Sequence, residues 1–219
     1  MSVDLAPVNV QPTRLAEIVF DRLSAAILDG TFAPGAAVRD NVIAAQLGVS
    51  RMPVREALQR LQRIGLIDMA ASRYTRVADV TPETVRDTLE FAACQAETVI
   101  RDVLPTLDLR QARGVQSLVG EVIADIDRGA PALASAHRVC SRLAEMSRNV
   151  YLRAYLSDID LAIQHNLRHA DDSAPVREHV RAHLVELAEA VGRGDARAAV
   201  KASAALHDLT GVERVTAAV

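Results

Sequence analysis

What the chain has little of narrows its options first. It has no tryptophan, and aromatics make up only 3% of its 219 residues. Half of the residues are hydrophobic, so a sizeable core has to be assembled from Leu, Val, Ile and Ala. Those side chains favour closely packed helices. Two cysteines, Cys94 and Cys140, are too few for a disulfide framework. Both fall in helical patterns without a neighbouring basic cluster, so a reducing compartment and buried, inert thiols are expected. No apolar run is long enough for a bilayer-spanning helix. The first residues lack a charged segment followed by an apolar stretch. A cytoplasmic protein without a membrane partner is expected. Lysine is nearly missing too, Lys201 being the only one. Positive charge is therefore arginine, which suits bidentate contacts to phosphate and guanine, although a GC-rich genome produces the same skew. A formal net charge of -3 does not exclude nucleic acid, because the field that matters is local.

The most informative stretch is Ile43–Ile64, IAAQLGVSRMPVREALQRLQRI. It predicts a short helix, a turn at Gly48, and a second helix. A residue without Cβ suits the left-handed backbone of such a turn. Ser50 is placed to cap the second helix with its hydroxyl, and Pro53 falls in the first turn, where a missing amide costs little. Val54, Leu58, Leu61 and Ile64 form the apolar stripe, while Arg51, Arg55, Gln59 and Gln62 lie largely off it. From Arg51 to Arg63 there are four arginines against one acid, Glu56. Arginines on a solvated face are ordinary by themselves. Combined with a tight turn and a capped start, they fit a recognition helix that enters the major groove by its N-terminal end.

Residues 1–11 carry no pattern and read as a flexible tail. Pro12 and Thr13 open a helix carrying Leu15, Ile18, Val19, Leu23 and Ile27, closed by Gly30. Ala33-Pro34-Gly35 is a turn, and Ala37–Arg39 a short extended piece. Gly65 ends the second helix of the motif. Leu66–Met69 and Tyr74–Val77 read as strands of a wing around Ala71–Arg73. Thr81-Pro82 signals a boundary and a new helix. Beyond it nearly everything is helical, over Glu83–Leu104, Leu107–Asp127, Pro131–Met146, Tyr151–Arg168, Pro175–Val191 and Ala196–Leu209. The expected fold is mostly α: an N-terminal winged helix-turn-helix over 12–78 and a C-terminal antiparallel helical bundle over 82–210.

On the residues LGVSRMPVREALQRL and IGLI, preceded by ILDGTFAPGAAV, the chain resembles the GntR family of bacterial transcription regulators. The branch it is similar to carries a FadR-like, all-helical C-terminal domain, the FCD domain. The likeness is strong from Thr13 to Val77. It continues more loosely through Val85–Phe91, Leu143–Leu152 and Gly192–Val200. The resemblance implies that Ser50, Arg51 and Arg55 contact operator DNA, with Pro53 in the same motif. Arg39-Asp40-Asn41 replaces the family's Ser-Glu-Arg, so Asn41 stands where relatives carry an arginine and Arg39 is its nearest substitute. The wing lacks the family's Gly-Arg-Gly but keeps Arg73 and Arg76 for the minor groove or flanking phosphates.

The resemblance also implies a test for metal, because many FCD domains bind a divalent ion through one Asp and three His. Here those positions read Ala136, Cys140, Leu184 and Leu206. Three histidines stand one place away, His137, His183 and His207. Two readings stay open. Either the four positions continue an apolar stripe and no cofactor is bound, or the histidines form a triad for zinc or a similar ion. A cavity in a helical bundle is largely apolar with a few convergent polar groups. Arg86, Gln95, Arg138, His137, Cys140, His183 and His207 are the candidates to hold a small organic acid effector. Tyr151 and Tyr155 read as core or interface aromatics.

A homodimer reading an inverted-repeat, double-stranded operator is expected, as a repressor whose operator affinity changes when the C-terminal domain binds its effector. A nonspecific nucleoid-type DNA-binding protein and a helical-domain enzyme tethered to DNA are the alternatives. The enzyme lacks sequence support, since no Gly-rich phosphate loop, paired helical carboxylates or nucleophile elbow is present.

Overall fold

A computed structural model describes residues 12–70, 73–210 and 212. The tail expected over residues 1–11 and the Ala71-Ser72 part of the expected wing turn lie outside the described residues. The chain divides into two compact units between Asp79 and Val80.

The first unit is built from α1 (Pro12–Leu28), α2 (Asp40–Leu47), α3 (Arg51–Arg63), β1 (Ile67–Ala70) and β2 (Tyr74–Val77). Helices α1 and α2 both pack on α3. Its stripe of Val54, Ala57, Leu58 and Leu61 is buried completely or nearly so, each large side chain contributing roughly 1.5–3 kcal/mol. Helix α1 buries Val19, Phe20, Leu23 and Ile27, while Leu15 and Ile18 are exposed. Phe20 thus belongs to the inward face, and the two N-terminal aliphatics do not. Gly48 closes α2 in the left-handed conformation, φ 66° and ψ 32°, where a Cβ would be strained. Gly35 also has positive φ, and a Cβ there would come within 2.9 Å of Asp79 Oδ1.

The wing pairs β1 with β2 antiparallel, Asp68 facing Arg76 and Met69 facing Thr75. The extended piece expected at Ala37–Arg39 lies against its outer edge. Val38 N–H donates to the Thr75 carbonyl at 2.8 Å and Val77 N–H to that of Ala36 at 2.9 Å. The strap leads directly into α2 and ties the start of the helix-turn-helix to the wing.

The second unit holds α4 (Pro82–Val103), a 3-10 turn at Leu104–Thr106, and α5 (Leu109–Asp127), α6 (Ala132–Glu145), α7 (Val150–Arg168), α8 (Ala174–Arg193) and α9 (Ala196–His207). Each helix end lies within two residues of its sequence expectation, and the starts of α4, α5, α7 and α9 carry side-chain caps. The Thr81 hydroxyl accepts the Thr84 N–H at 3.2 Å. Asp108 and Gln111 form a reciprocal capping box, and Asn149 accepts from Tyr151 and Leu152. Such caps are worth about 1 kcal/mol each. The helices share one apolar core, with α8 against α5 and α9, α6 against α5 and α7, and α4 against α6, α7 and α9.

Candidate nucleic-acid interface

Helix α3 turns its stripe inward and leaves Arg51, Arg55, Gln59 and Gln62 outside. Three of these, Arg51, Arg55 and Gln59, follow one another at i, i+4 spacing and so share a face. Together with Arg39, Asn41 and Arg73 they line one concave surface of about 920 Å³ between α2, α3 and the wing. Arg39, Asn41, Ser50, Arg55 and Arg73 are exposed. Ser50 occupies the N-cap position of α3 with extended backbone, but its side chain makes no capping bond. The expected hydroxyl cap is therefore absent, leaving that hydroxyl at the positive end of the helix, where anions are favoured.

Pro53 requires a correction. It is buried with Val54 beneath α3, so its ring packs in the core and is withdrawn from the expected DNA-contact set. Arg76 is engaged within the wing, 3.1 Å from Asp79 and 3.5 Å from Asp68, with its guanidinium 5.0 Å from the Tyr74 ring centre. Arg60 lies 3.8 Å over the Phe20 ring, which draws it toward α1. Gln59 and Asp40 also line the interface and were not among the expected contacts. Gln59 was detectable from its spacing to Arg55. Asp40 was not, since its bond to Arg51 spans a turn: Arg51 Nη2 donates to Asp40 Oδ2 at 2.9 Å. The hydrogen bonds from Arg51 outweigh the opposing effect of burial and, with the Arg51 charge, hold the Asp40 carboxyl below its ordinary range.

In the second unit the four positions tested for metal are core. Ala136, Leu184 and Leu206 are buried, Leu184 completely, and Cys140 is 8% exposed. Burial, with Asp160 adding to it, pushes the Cys140 thiol up to about 12. Cys94, expected to be buried, is exposed on α4. The His137, His183 and His207 triad is not assembled, and among the described residues no group of three or more His, Cys, Asp or Glu is placed to hold a metal ion. His137 is bound to Asp160, Nε2 to Oδ1 at 2.7 Å. Burial raises the Asp160 carboxyl, but hydrogen bonds from His137, Ser141 and Gln164 outweigh it and hold it low. His183 lies partly open beside Glu186 at 3.0 Å. His207 donates from Nδ1 to the Ser203 carbonyl at 2.7 Å.

Of the other effector candidates, Arg138 is held by Asp125 at 2.5 Å on the surface. Gln95 is buried on α4 with neither amide atom hydrogen-bonded within the protein. His137, Cys140 and His207 do meet, around a core cavity of only about 20 Å³, room for one water. Arg86 lines a separate groove of about 810 Å³ with His169 and His207. Tyr151 and Tyr155, 84% and 64% exposed on α7, are not core residues.

Residues 15–77 match the model of the bacterial regulatory proteins of the gntR family. The HTH-type transcriptional regulator Mce2R of Mycobacterium tuberculosis is 35% identical over 133 residues, 59% of this chain and 49% of that protein. The chain thus spans about half the length of that relative, and a match to a Streptomyces ambofaciens regulator spans 36% of its length. A protein of Paenarthrobacter nicotinovorans named "Probable D-xylose utilization operon transcriptional repressor" is 28% identical over 88% of this chain and 85% of its own. A transcriptional regulator GntR from Rhodococcus sp. RHA1, solved by crystallography, shares the fold with a TM-score of 0.71 at 23% identity, over 94% of this chain and 99% of that one. Among the described residues no helix is long and apolar enough to cross a membrane. The helix-turn-helix and wing, residues 15–77, are thus a domain of the gntR family of bacterial regulatory proteins, carried on a chain that shares its fold with a regulator of that name.

Proposed function

We propose that the chain represses transcription as a homodimer. Each copy places the N-terminal end of α3 in the major groove of one half of an inverted-repeat operator, and a small organic acid in the C-terminal unit weakens the complex. The observation that carries this reading is the concave arginine surface around the start of α3, where Arg39, Arg51, Arg55 and Arg73 converge in an otherwise acidic chain. The exposed Val150, Tyr151 and Tyr155 on α7 supply apolar surface suited to pairing. The name of the Paenarthrobacter relative supports the sign of regulation.

Volume and charge support the groove lined by Arg86 as the effector site. The core cavity of about 20 Å³ is too small for an organic acid, whereas the groove of about 810 Å³ has the size of ordinary ligand pockets. Arg86 is its cation, while Glu90, Asp171 and Asp208 also line it. A monocarboxylate with an uncharged polar remainder fits that pattern better than a diacid, since a second anion meets those acids. The test is a footprint of the full chain on the duplex it enriches from a randomised pool, with and without candidate acids. Two symmetric protected half-sites, lost on adding an acid, are the expected result. Equal affinity for selected and random duplexes overturns sequence-specific reading, and affinity unmoved or strengthened by acids overturns relief of repression.

A further inference from the structure

Helix α2 opens on Asp40 and helix α3 on Arg51, and the turn between them brings the two side chains together. Arg51 donates from Nε to Oδ2 at 3.3 Å, and from Nη2 to Oδ2 at 2.9 Å and Oδ1 at 3.2 Å. Those donors belong to one edge of the guanidinium. The terminal pair, one N–H of Nη1 and the second N–H of Nη2, is left over. The Arg51 side chain remains 64% exposed, while that of Asp40 is 24% exposed. Asp40 is carried in the first turn of α2, so the carboxylate holds the plane of the guanidinium before any ligand arrives. Electrostatics agree with the geometry. A cation in the first turn of a helix opposes the macrodipole, an anion in the first turn complements it, and the pair satisfies both helix starts.

We propose that Asp40 is the positioning residue that sets base specificity at α3: by occupying the Nε edge of Arg51 it leaves only the terminal fork, which matches O6 and N7 of guanine. The second effect is exclusion. A free arginine reaches for phosphates of any sequence, and a carboxylate beside it both tethers it and repels the backbone. Asp40 thereby gives up general DNA affinity for discrimination at one base pair. The inference rests on the reading that Arg51 faces DNA.

The experiment uses the full chain and the duplex it enriches from a randomised pool, with each guanine of that duplex replaced in turn. Discrimination is the ratio of affinities for the parent and substituted duplexes. Asp40→Asn, isosteric and partly exposed, is expected to lower the ratio at one guanine about tenfold while binding to random duplex strengthens. Asp40→Glu is expected to recover part of the ratio, and Asp40→Asn in an Arg51→Ala background to change it no further. A merely structural residue moves the melting temperature and all duplexes alike. If Arg51→Ala abolishes discrimination at a guanine and Asp40→Asn leaves it intact, Asp40 has no positioning role and base reading by α3 stands. If Arg51→Ala leaves every ratio unchanged, both Asp40 and the Arg51 reading fall.

Discussion

Acidification from about pH 7 to about pH 4.5 should destabilise the C-terminal unit far more than the N-terminal one. All six histidines of the chain lie at or beyond His137. Two of them are buried as neutral rings. Burial pushes His207 down to about 4, with its Ser203 hydrogen bond opposing and His137 adding. It pushes His165 to about 4 as well, helped by His169 and Arg168, and neither ring nitrogen of His165 has a protein partner. Both ordinarily titrate near 6.5. Because the folded values lie below the unfolded ones, the unfolded chain binds protons first. The stability they contribute is complete above pH 6.5 and is lost as pH falls toward 4, then levels off once both states are protonated. A depression of that size corresponds to roughly 3 kcal/mol for each ring, so the pair accounts for a large part of a typical domain stability of about 5–15 kcal/mol. Urea unfolding at stepped pH, followed by circular dichroism, should show the C-terminal transition moving to lower urea between about pH 6.5 and 4.5. Imidazole proton resonances should place His207 and His165 well under the ordinary value. A transition that stays put across this window, or a His207 resonance titrating near 6.5, would refute the linkage.

Replacing Leu184 by Ala should cost about 3 kcal/mol, in the range of fully buried leucines, since its side chain is completely buried; a loss under about 1 kcal/mol in urea unfolding would mean the position is not core. Arg55→Ala should weaken operator binding by about 1–3 kcal/mol and relax discrimination at one position, read by titrating matched and substituted duplexes, whereas equal losses on random DNA would make it a phosphate contact. Gly48→Ala should lower the melting temperature through about 1 kcal/mol of left-handed strain, with no clash, because nothing lies within 4 Å of the added Cβ; an unchanged melting temperature would show that the turn relaxes.

How much could be read in advance depended on the range over which each feature is determined. Gly48, Pro53, Thr81-Pro82 and the Asp108/Gln111 box act within a few residues, and the helices they bound fell close to expectation. Pro53 shows the limit of such signals. Its place in the first turn of α3 follows from its missing amide, but whether its ring faces DNA or core depends on what packs below, and it is buried. In α1 the same limit applies to the choice of inward face. Leu15 and Ile18 fit a helical stripe as well as Phe20 does, and only the packing of α1 on α3, with Arg60 3.8 Å above the Phe20 ring, selects between them. The Asp40–Arg51 and His137–Asp160 pairs join residues on different helices, where helical spacing carries no information.

Where the resemblance implies one carboxylate and three imidazoles, the chain has Ala136, Cys140, Leu184 and Leu206, all packed in the shared core. Removing only one of four ligands would leave charged or polar groups buried without their ion, at several kcal/mol each. Changing all four to apolar side chains removes that cost and adds packing, which is why the core can close to about 20 Å³. His137 and His207 remain beside it, each tied to a partner on one nitrogen, Asp160 or the Ser203 carbonyl. Each therefore has a partner within a closed core, whereas the groove lined by Arg86 is open to about 810 Å³.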